Sequence, residues 1–159
     1  MKKILRILEK DARLSAKEIS SITNQSEEAI KNKIEEMEKK QVIRKYKTVI
    51  NWELAGKKEV YAMIDVNVVP ERDRGYDAVA ERIMRFPEVR TLYLISGKYD
   101  LSVLVRGKDY KEVAFFVSDK LAPLDQVTGT NTHFMLKRYK EDGDVLFGEE
   151  ANKRLAISP

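Results

Sequence analysis

The sequence predicts an α+β protein: a small basic helical head, followed by a four-stranded antiparallel sheet with two helices on one face. Three observations carry this expectation. Three short helical patterns crowd into the first 40 residues. From about residue 59 the pattern changes to strand–helix–strand, tight turn, strand–helix–strand. The charge is divided: residues 1–51 hold 13 Lys/Arg against 8 Asp/Glu, a net of +5, whereas 52–159 are at −1. A basic unit joined to a nearly neutral one favours a polyanion partner for the first part only.

The head is read first. Ile4, Leu5, Leu8 and Ala12 recur at helical spacing. Ser15 with Glu18 three residues on forms a capping box, so a second helix starts there, with Ala16, Ile19 and Ile22 as its apolar face. Asn24 tolerates the left-handed conformation that a tight turn needs. Ser26 is the N-cap of a third helix, and Glu27 and Glu28 lie in its first turn, where the helix dipole favours acids. Ile30, Ile34 and Met37 share one stripe and turn Lys31 and Asn32 outward. Two helices joined by such a turn make a helix-turn-helix, whose second helix enters the major groove with its N-terminal residues. Asn bonds adenine bidentately and Lys reaches guanine or phosphate, so Lys31 and Asn32 are the expected base contacts. The stretch Val42 to Asn51 is β-branched and aromatic and reads as a strand or wing, with Arg44, Lys45 and Lys47 placed for phosphates. Ser26 and Lys33 complete the candidate DNA-contact set.

Residues 52–58 read as a linker, 59–140 as the second domain and 141–159 as a tail that frays. Val60, Ala62, Ile64, Val66 and Val68 alternate with Tyr61, Met63, Asp65 and Asn67 in a long strand. Tyr76, Val79, Ala80 and Ile83 give a helix stopped by Pro87. Val89–Ser96 is a second strand, Gly97-Lys98-Tyr99 a tight turn, and Leu101, Val103 and Val105 mark a third strand. Tyr110 to Leu121 is a second helix, and Val127–Tyr139 a fourth strand. This order is the split βαβ, ferredoxin-like plan. Met63 and Val69 lie opposite the Val60–Val68 row, and Leu92 and Leu94 opposite Val89, Tyr93 and Ile95. The first two strands are thus apolar on both faces, and a bare apolar face predicts sheet-to-sheet dimerisation.

Composition narrows the function. With no Cys and one His, a thiolate zinc site, a cysteine nucleophile and a two-histidine metal site within one chain are excluded, and neither a metal nor a cofactor is expected. Charge interrupts the start at Lys2, Lys3 and Arg6, and no apolar run reaches the roughly 20 residues of a membrane span. A soluble cytoplasmic protein without a membrane partner is the expectation. An enzyme finds no support, because His133 stands on a strand without an acid–base partner in sequence.

These residues resemble the Lrp/AsnC, or feast/famine, family of regulators. The resemblance runs from about Ile4 to Lys140. It is carried by the run from Ile4 through Ser15 with Glu18-Ile19, by Ser26, Lys33-Ile34, Met37-Glu38, Val42-Ile43 and Tyr46, and then by Phe86-Pro87-Glu88-Val89, Ser96-Gly97-Lys98-Tyr99-Asp100-Leu101 and Val127 with Thr130-Asn131-Thr132. It implies a winged helix-turn-helix that binds double-stranded operators and an effector-sensing sandwich that dimerises, with assembly onward to tetramers or octamers. It implies no enzyme activity. It places a small effector, commonly an amino acid, at the turn Gly97, Lys98, Tyr99 and Asp100, with Thr130 and Thr132 as the second wall. The chemistry is coherent: Gly97 permits a positive-φ turn with open amides, Asp100 is a partner for an ammonium, and the threonines offer hydroxyls. The sequence departs from the family pattern at Gln41, where the family has Gly, at Gln25, where it has an apolar residue, and in lacking an acidic stretch before the first helix. The competing reading is a non-specific or architectural nucleic-acid-binding protein without an effector.

Overall fold

The computed structural model describes residues 1–147. The chain divides into two compact units between Ile50 and Asn51.

The first unit has three helices, α1 (Lys2–Lys10), α2 (Ala16–Thr23) and α3 (Glu27–Lys39). Ile4, Leu8, Ile19, Ile30 and Met37 form its buried core, with Leu5, Ile7, Leu14, Ala16, Ile34 and Ile43 packed around it. The Ser15 box forms in full: the Glu18 N–H donates to Ser15 Oγ at 3.3 Å, and the Ser15 N–H donates to Glu18 Oε2 at 2.7 Å. That bonding holds the Glu18 carboxyl below its ordinary range, the Ser15 side-chain bond first and its backbone bond second. Asn24 takes the left-handed conformation at φ 54° and ends α2. Ser26 Oγ accepts from the Ala29 N–H at 3.2 Å and opens α3. Ile22 does not join the core; it is 49% exposed.

One expectation fails here. The stretch from Val42 to Asn51 forms no strand. The Val42 and Ile43 N–H groups both donate to Met37 O, at 2.9 and 3.1 Å, and wrap the chain against the end of α3. Residues 44–50 are irregular, with no ladder partner among the described residues. β-Branched composition fits a half-buried pleated surface, but it does not supply the neighbouring strand that its N–H and C=O groups need.

The second unit contains β1 (Val60–Val68), α4 (Asp77–Ile83), β2 (Val89–Leu94), β3 (Leu101–Gly107), α5 (Tyr110–Phe115), a π-helical turn (Phe116–Leu121), β4 (Val127–Phe134) and a small hairpin of β5 (Lys140–Glu141) and β6 (Asp144–Val145). The four long strands lie in the order β2-β3-β1-β4, and every neighbouring pair is antiparallel. This is the ferredoxin-like plan. Ala62, Ile64, Val66 and Val68 of β1 and Leu101, Val103 and Val105 of β3 are buried with Val79 and Ile83 of α4, Val113 of α5, and Phe116 and Leu121 of the π-helical turn.

The structure corrects the sequence reading at four further points. A register shift between Val89 and Thr91 puts Val89 opposite Val105 and Leu92 opposite Val103, so both face the core. An extra residue in one strand flips the side-chain alternation, which period-2 counting misses. Val69 lies past the end of β1 and is 57% exposed. The ladder of β4 ends at Phe134, and one more bond, from the Met135 N–H to Tyr61 O at 2.8 Å, uses up the start of β1 as a partner. Residues 140–145 do not fray: Asp142 (φ 46°) and Gly143 (φ 89°) make a two-residue hairpin turn of the kind Asp-Gly favours. The rest of the expected tail lies outside the described residues.

Candidate functional site

In the head, α3 presents the expected contact residues unequally. Lys31 and Asn32 are exposed. Lys31 Nζ pairs with Glu27 Oε1 at 2.7 Å, one helical turn back. The hydrogen bond and charge of that pair raise the Lys31 ammonium and lower the Glu27 carboxyl relative to their ordinary values. Glu27 therefore restrains Lys31 as well as standing at the dipole-favoured end of the helix. Lys33 is half-buried and hydrogen-bonds Gln25 Oε1, tying α3 to the turn before it. Gln25, which departs from the family pattern, thus has a local partner. Beyond α3, Arg44 Nη1 donates to Gln41 Oε1 at 3.3 Å, and Arg44, Lys45 and Lys47 are exposed. Tyr46, which carries part of the family resemblance but is not among the expected contact residues, donates from its hydroxyl to Glu38 Oε1 at 2.8 Å. Burial and the Glu38 carboxylate push that phenol up to about 12. Gln41 itself stands at φ 57°, a conformation that favours glycine.

In the second unit the turn 95–100 is closed by the Ile95 N–H donating to Asp100 O at 2.8 Å. Gly97 has φ 146° and a Cβ there would meet open space, so its constraint is conformational, not steric. Lys98 is exposed and lies 5.4 Å from the centroid of the Tyr99 ring. Asp100 is already engaged. Its Oδ2 accepts from the Val68 N–H at 2.9 Å and its Oδ1 from the Tyr76 hydroxyl at 3.4 Å. The Asp100 N–H also donates to Val66 O at 3.1 Å. The turn is therefore fastened to the end of β1 and to the residue that opens α4. Sequence spacing gave no sign of Tyr76 or Val68 at this place; the β1–β3 pairing brings the end of β1 there, and the start of α4 brings Tyr76.

Thr130 and Thr132 are half-buried and pair with Val66 and Ile64, so they lie on the helix-covered side of β4. Leu101 also pairs with Val66, which puts Thr130 in the cross-strand row that starts at the turn. Two strand spacings separate them, roughly 10 Å. The turn and the threonines thus share one end of the sheet without touching.

Among the described residues the other face of the sheet carries no helix. Tyr61 and Met63 of β1, Leu104 of β3 and Tyr93 of β2 form its apolar middle, with Met63 directly opposite Leu104. Tyr93 is 60% exposed. His133 lies directly opposite Met63, Asp65 stands one step toward one end of β1, and Arg106, 3.6 Å from Glu59, stands toward the other. Among the described residues no group of acids and histidine is spaced to hold a metal ion, and no helix is long and apolar enough to cross a membrane.

A helix-turn-helix head joined to a ferredoxin-like sandwich with a braced turn defines a class of two-part transcription regulators, and the comparisons with known proteins agree. Residues 1–44 match a model of winged helix-turn-helix DNA-binding domains, and residues 61–145 match the Lrp/AsnC ligand-binding domain. The chain belongs to the Lrp/AsnC family and is a DNA-binding transcriptional regulator, in a family of regulators and not of enzymes. It is 46% identical over 157 residues to the uncharacterized HTH-type transcriptional regulator YugG of Bacillus subtilis, covering 98% of this chain and 95% of that protein. It is 33% identical over 144 residues to the HTH-type transcriptional regulator FL11 of Pyrococcus furiosus, covering 91% and 92%. Among solved structures, the regulator NMB0573 from Neisseria meningitidis, described as an L-Met complex, matches with a TM-score of 0.71 at 24% identity, covering 87% of this chain and 89% of that one. A feast or famine regulatory protein from M. tuberculosis, complexed with L-methionine, matches with a TM-score of 0.72 at 20% identity, covering 90% and 94%.

Proposed function

We propose that this regulator works in the cytoplasm as a two-fold dimer joined through the open face of its sheet, reads operator DNA with α3, and responds to an amino acid bound near the turn 97–100. The observation that carries the reading is the pairing of the two halves: a head of net charge +5 with an exposed Lys31–Asn32 surface, and a sandwich with one sheet face uncovered. Lys31 and Asn32 contact bases, while Ser26, Lys33, Arg44, Lys45 and Lys47 orient the head on phosphates. Lys31 must leave Glu27 to reach a base, an exposed pair that costs little to open.

The braced Asp100 changes what the turn contributes. Bonded by Val68 and Tyr76, Asp100 is held in place with acceptor sites left for an ammonium, and the ligand meets Asp100, the turn backbone, Lys98, Tyr99 and the threonine side of β4. Assembly beyond the dimer brings a second turn close enough to complete the site. A ligand that binds one assembly better than another shifts the population toward it, and with it the spacing of the heads on DNA. Two solved relatives that carry L-methionine support an amino-acid effector.

The test is a thermal unfolding screen against the amino acids, one at a time, followed by gel-shift titration on genomic fragments with and without any hit. A ligand bound only by the folded form raises the unfolding temperature. The expected result is a rise with one or a few amino acids that is lost in Gly97→Val, while that variant still binds DNA. A hit that survives in Gly97→Val removes the turn from the site, and fragments bound without preference favour the non-specific reading.

A further inference from the structure

The one histidine of the chain stands on the open sheet face, in a cluster that the reading above does not use. His133 Nε2 lies 3.2 Å from Asp65 Oδ2 and 2.9 Å from Asn131 Nδ2. The two neighbours make opposite demands on one nitrogen: the carboxylate needs an N–H, and the amide nitrogen needs a lone pair. Bonding to Asp65 therefore requires a proton on Nε2 and an Asn131 amide turned to offer its oxygen.

Asp65 is the more enclosed partner. Its side chain is 21% exposed against 56% for His133, and its other hydrogen bond comes from Ser102 Oγ at 3.5 Å. The remaining charged groups on this face lie toward the opposite end: Arg106 pairs with Glu59, Tyr61 donates to Glu59 at 3.1 Å, and Arg138 stacks 3.7 Å from the Tyr61 ring. On β3, the residue facing Asp65 is the uncharged Ser102, and Tyr93 of β2 lies beyond it. β4 is the edge of the sheet, so β1 is its single strand neighbour. His133 is thus the one group in this cluster that can bring a positive charge to Asp65.

We propose that the Asp65–His133 pair makes the association of two copies pH-dependent, with the sheet faces closing firmly when His133 is protonated and parting more readily when it is neutral. This rests on the open face being the dimer interface. Covering that face takes the last water from Asp65. A carboxylate desolvated beside a neutral imidazole is costly, and one desolvated beside an imidazolium is much less so. Association therefore takes up protons. By linkage it strengthens as pH falls and weakens as pH rises. A two-fold dimer carries the pair twice. If the protonated pair favours association by about tenfold per copy, the dissociation constant changes by about a hundredfold in all.

Sedimentation of the fluorescently labelled full chain between about pH 5.5 and about pH 8 measures this across the histidine range. Ionic strength is held constant, and a fixed sub-denaturing urea concentration is added if the dimer is too tight to dilute apart. The wild-type dissociation constant is expected to rise about a hundredfold. Asp65→Asn is expected to abolish the slope and stay tight at high pH. His133→Gln is expected to abolish it and stay near the weak, high-pH value. Circular dichroism melting checks that both variants fold, since neither side chain lies in the buried layer. A wild-type dimer with a flat profile overturns the switch and leaves the interface standing, as does a slope that persists in Asp65→Asn. A monomer at every pH overturns the interface reading, and the switch with it.

Discussion

The head and the sandwich build their cores and surfaces in different ways. The head buries five apolar side chains under three short helices, and its ends are fixed by polar caps at Ser15 and Ser26. The sandwich buries twelve in an interlocked layer that draws on two strands, two helices and a π-helical turn. The exposed side of α3 in the head is laced with charge, in the ion pairs Lys31–Glu27, Lys39–Glu35 and Lys40–Glu36. The sandwich has a sheet face that no helix covers among the described residues, with Met63, Leu104 and Tyr93 at its middle. A unit meant for a polyanion has little apolar surface to bury and leans on each core residue and cap.

That contrast can be broken first at the head. Ile30 is fully buried in its core, and Ile30→Ala is expected to destabilise the head by about 3 kcal/mol. Calorimetry should then show a low-temperature transition for the head and an unchanged one for the sandwich. A single shared transition would erase the distinction between the units. On the open sheet face, Met63→Arg is expected to raise the dimer dissociation constant about a hundredfold, about 3 kcal/mol, and leave the circular dichroism spectrum unchanged. Sedimentation equilibrium checks it, and undiminished association would move the interface elsewhere.

Smaller effects sharpen the picture at α3. Asn32→Ala is expected to weaken operator binding by about 2 kcal/mol while non-specific binding hardly changes, measured by titration at fixed salt. Equal losses on both kinds of DNA would make Asn32 a phosphate contact. Gln41→Gly relieves a left-handed residue at the exit of α3 but gives up the Arg44 bond and the bond from its Nε2 to Glu38 O. The backbone term is the larger, so a net gain of about 0.5–1 kcal/mol in head stability is expected. Urea unfolding that shows a loss would mean the side-chain bonds outweigh the strain.

Much of the molecule was legible where local chemistry decides. Ser15 with Glu18 marked a helix start because a hydroxyl and a carboxylate three residues apart satisfy each other's backbone donors. The alternation Val60–Val68 marked a half-buried strand because one face must be apolar. The reading failed where a partner or a phase decides. The Val42–Asn51 stretch had strand composition and no strand to pair with. The bulge at Val89/Thr91 reversed which side chains of β2 face inward. The second helix of the sandwich widened into a π-helical turn at Phe116–Leu121, which helical spacing does not distinguish.

The sequence by itself determined the order of elements, the basic head and the positive-φ turn at Gly97, because caps, period and charge act over a few residues. Only the tertiary structure decided that Asp100 is bonded by Val68 and Tyr76, that Thr130 stands two strands from the turn, and that His133 meets Asp65. Each of those depends on strand register. Register is a relation between distant segments, and it is set by how the whole sheet fits over its core, not by the residues on either side of a bond.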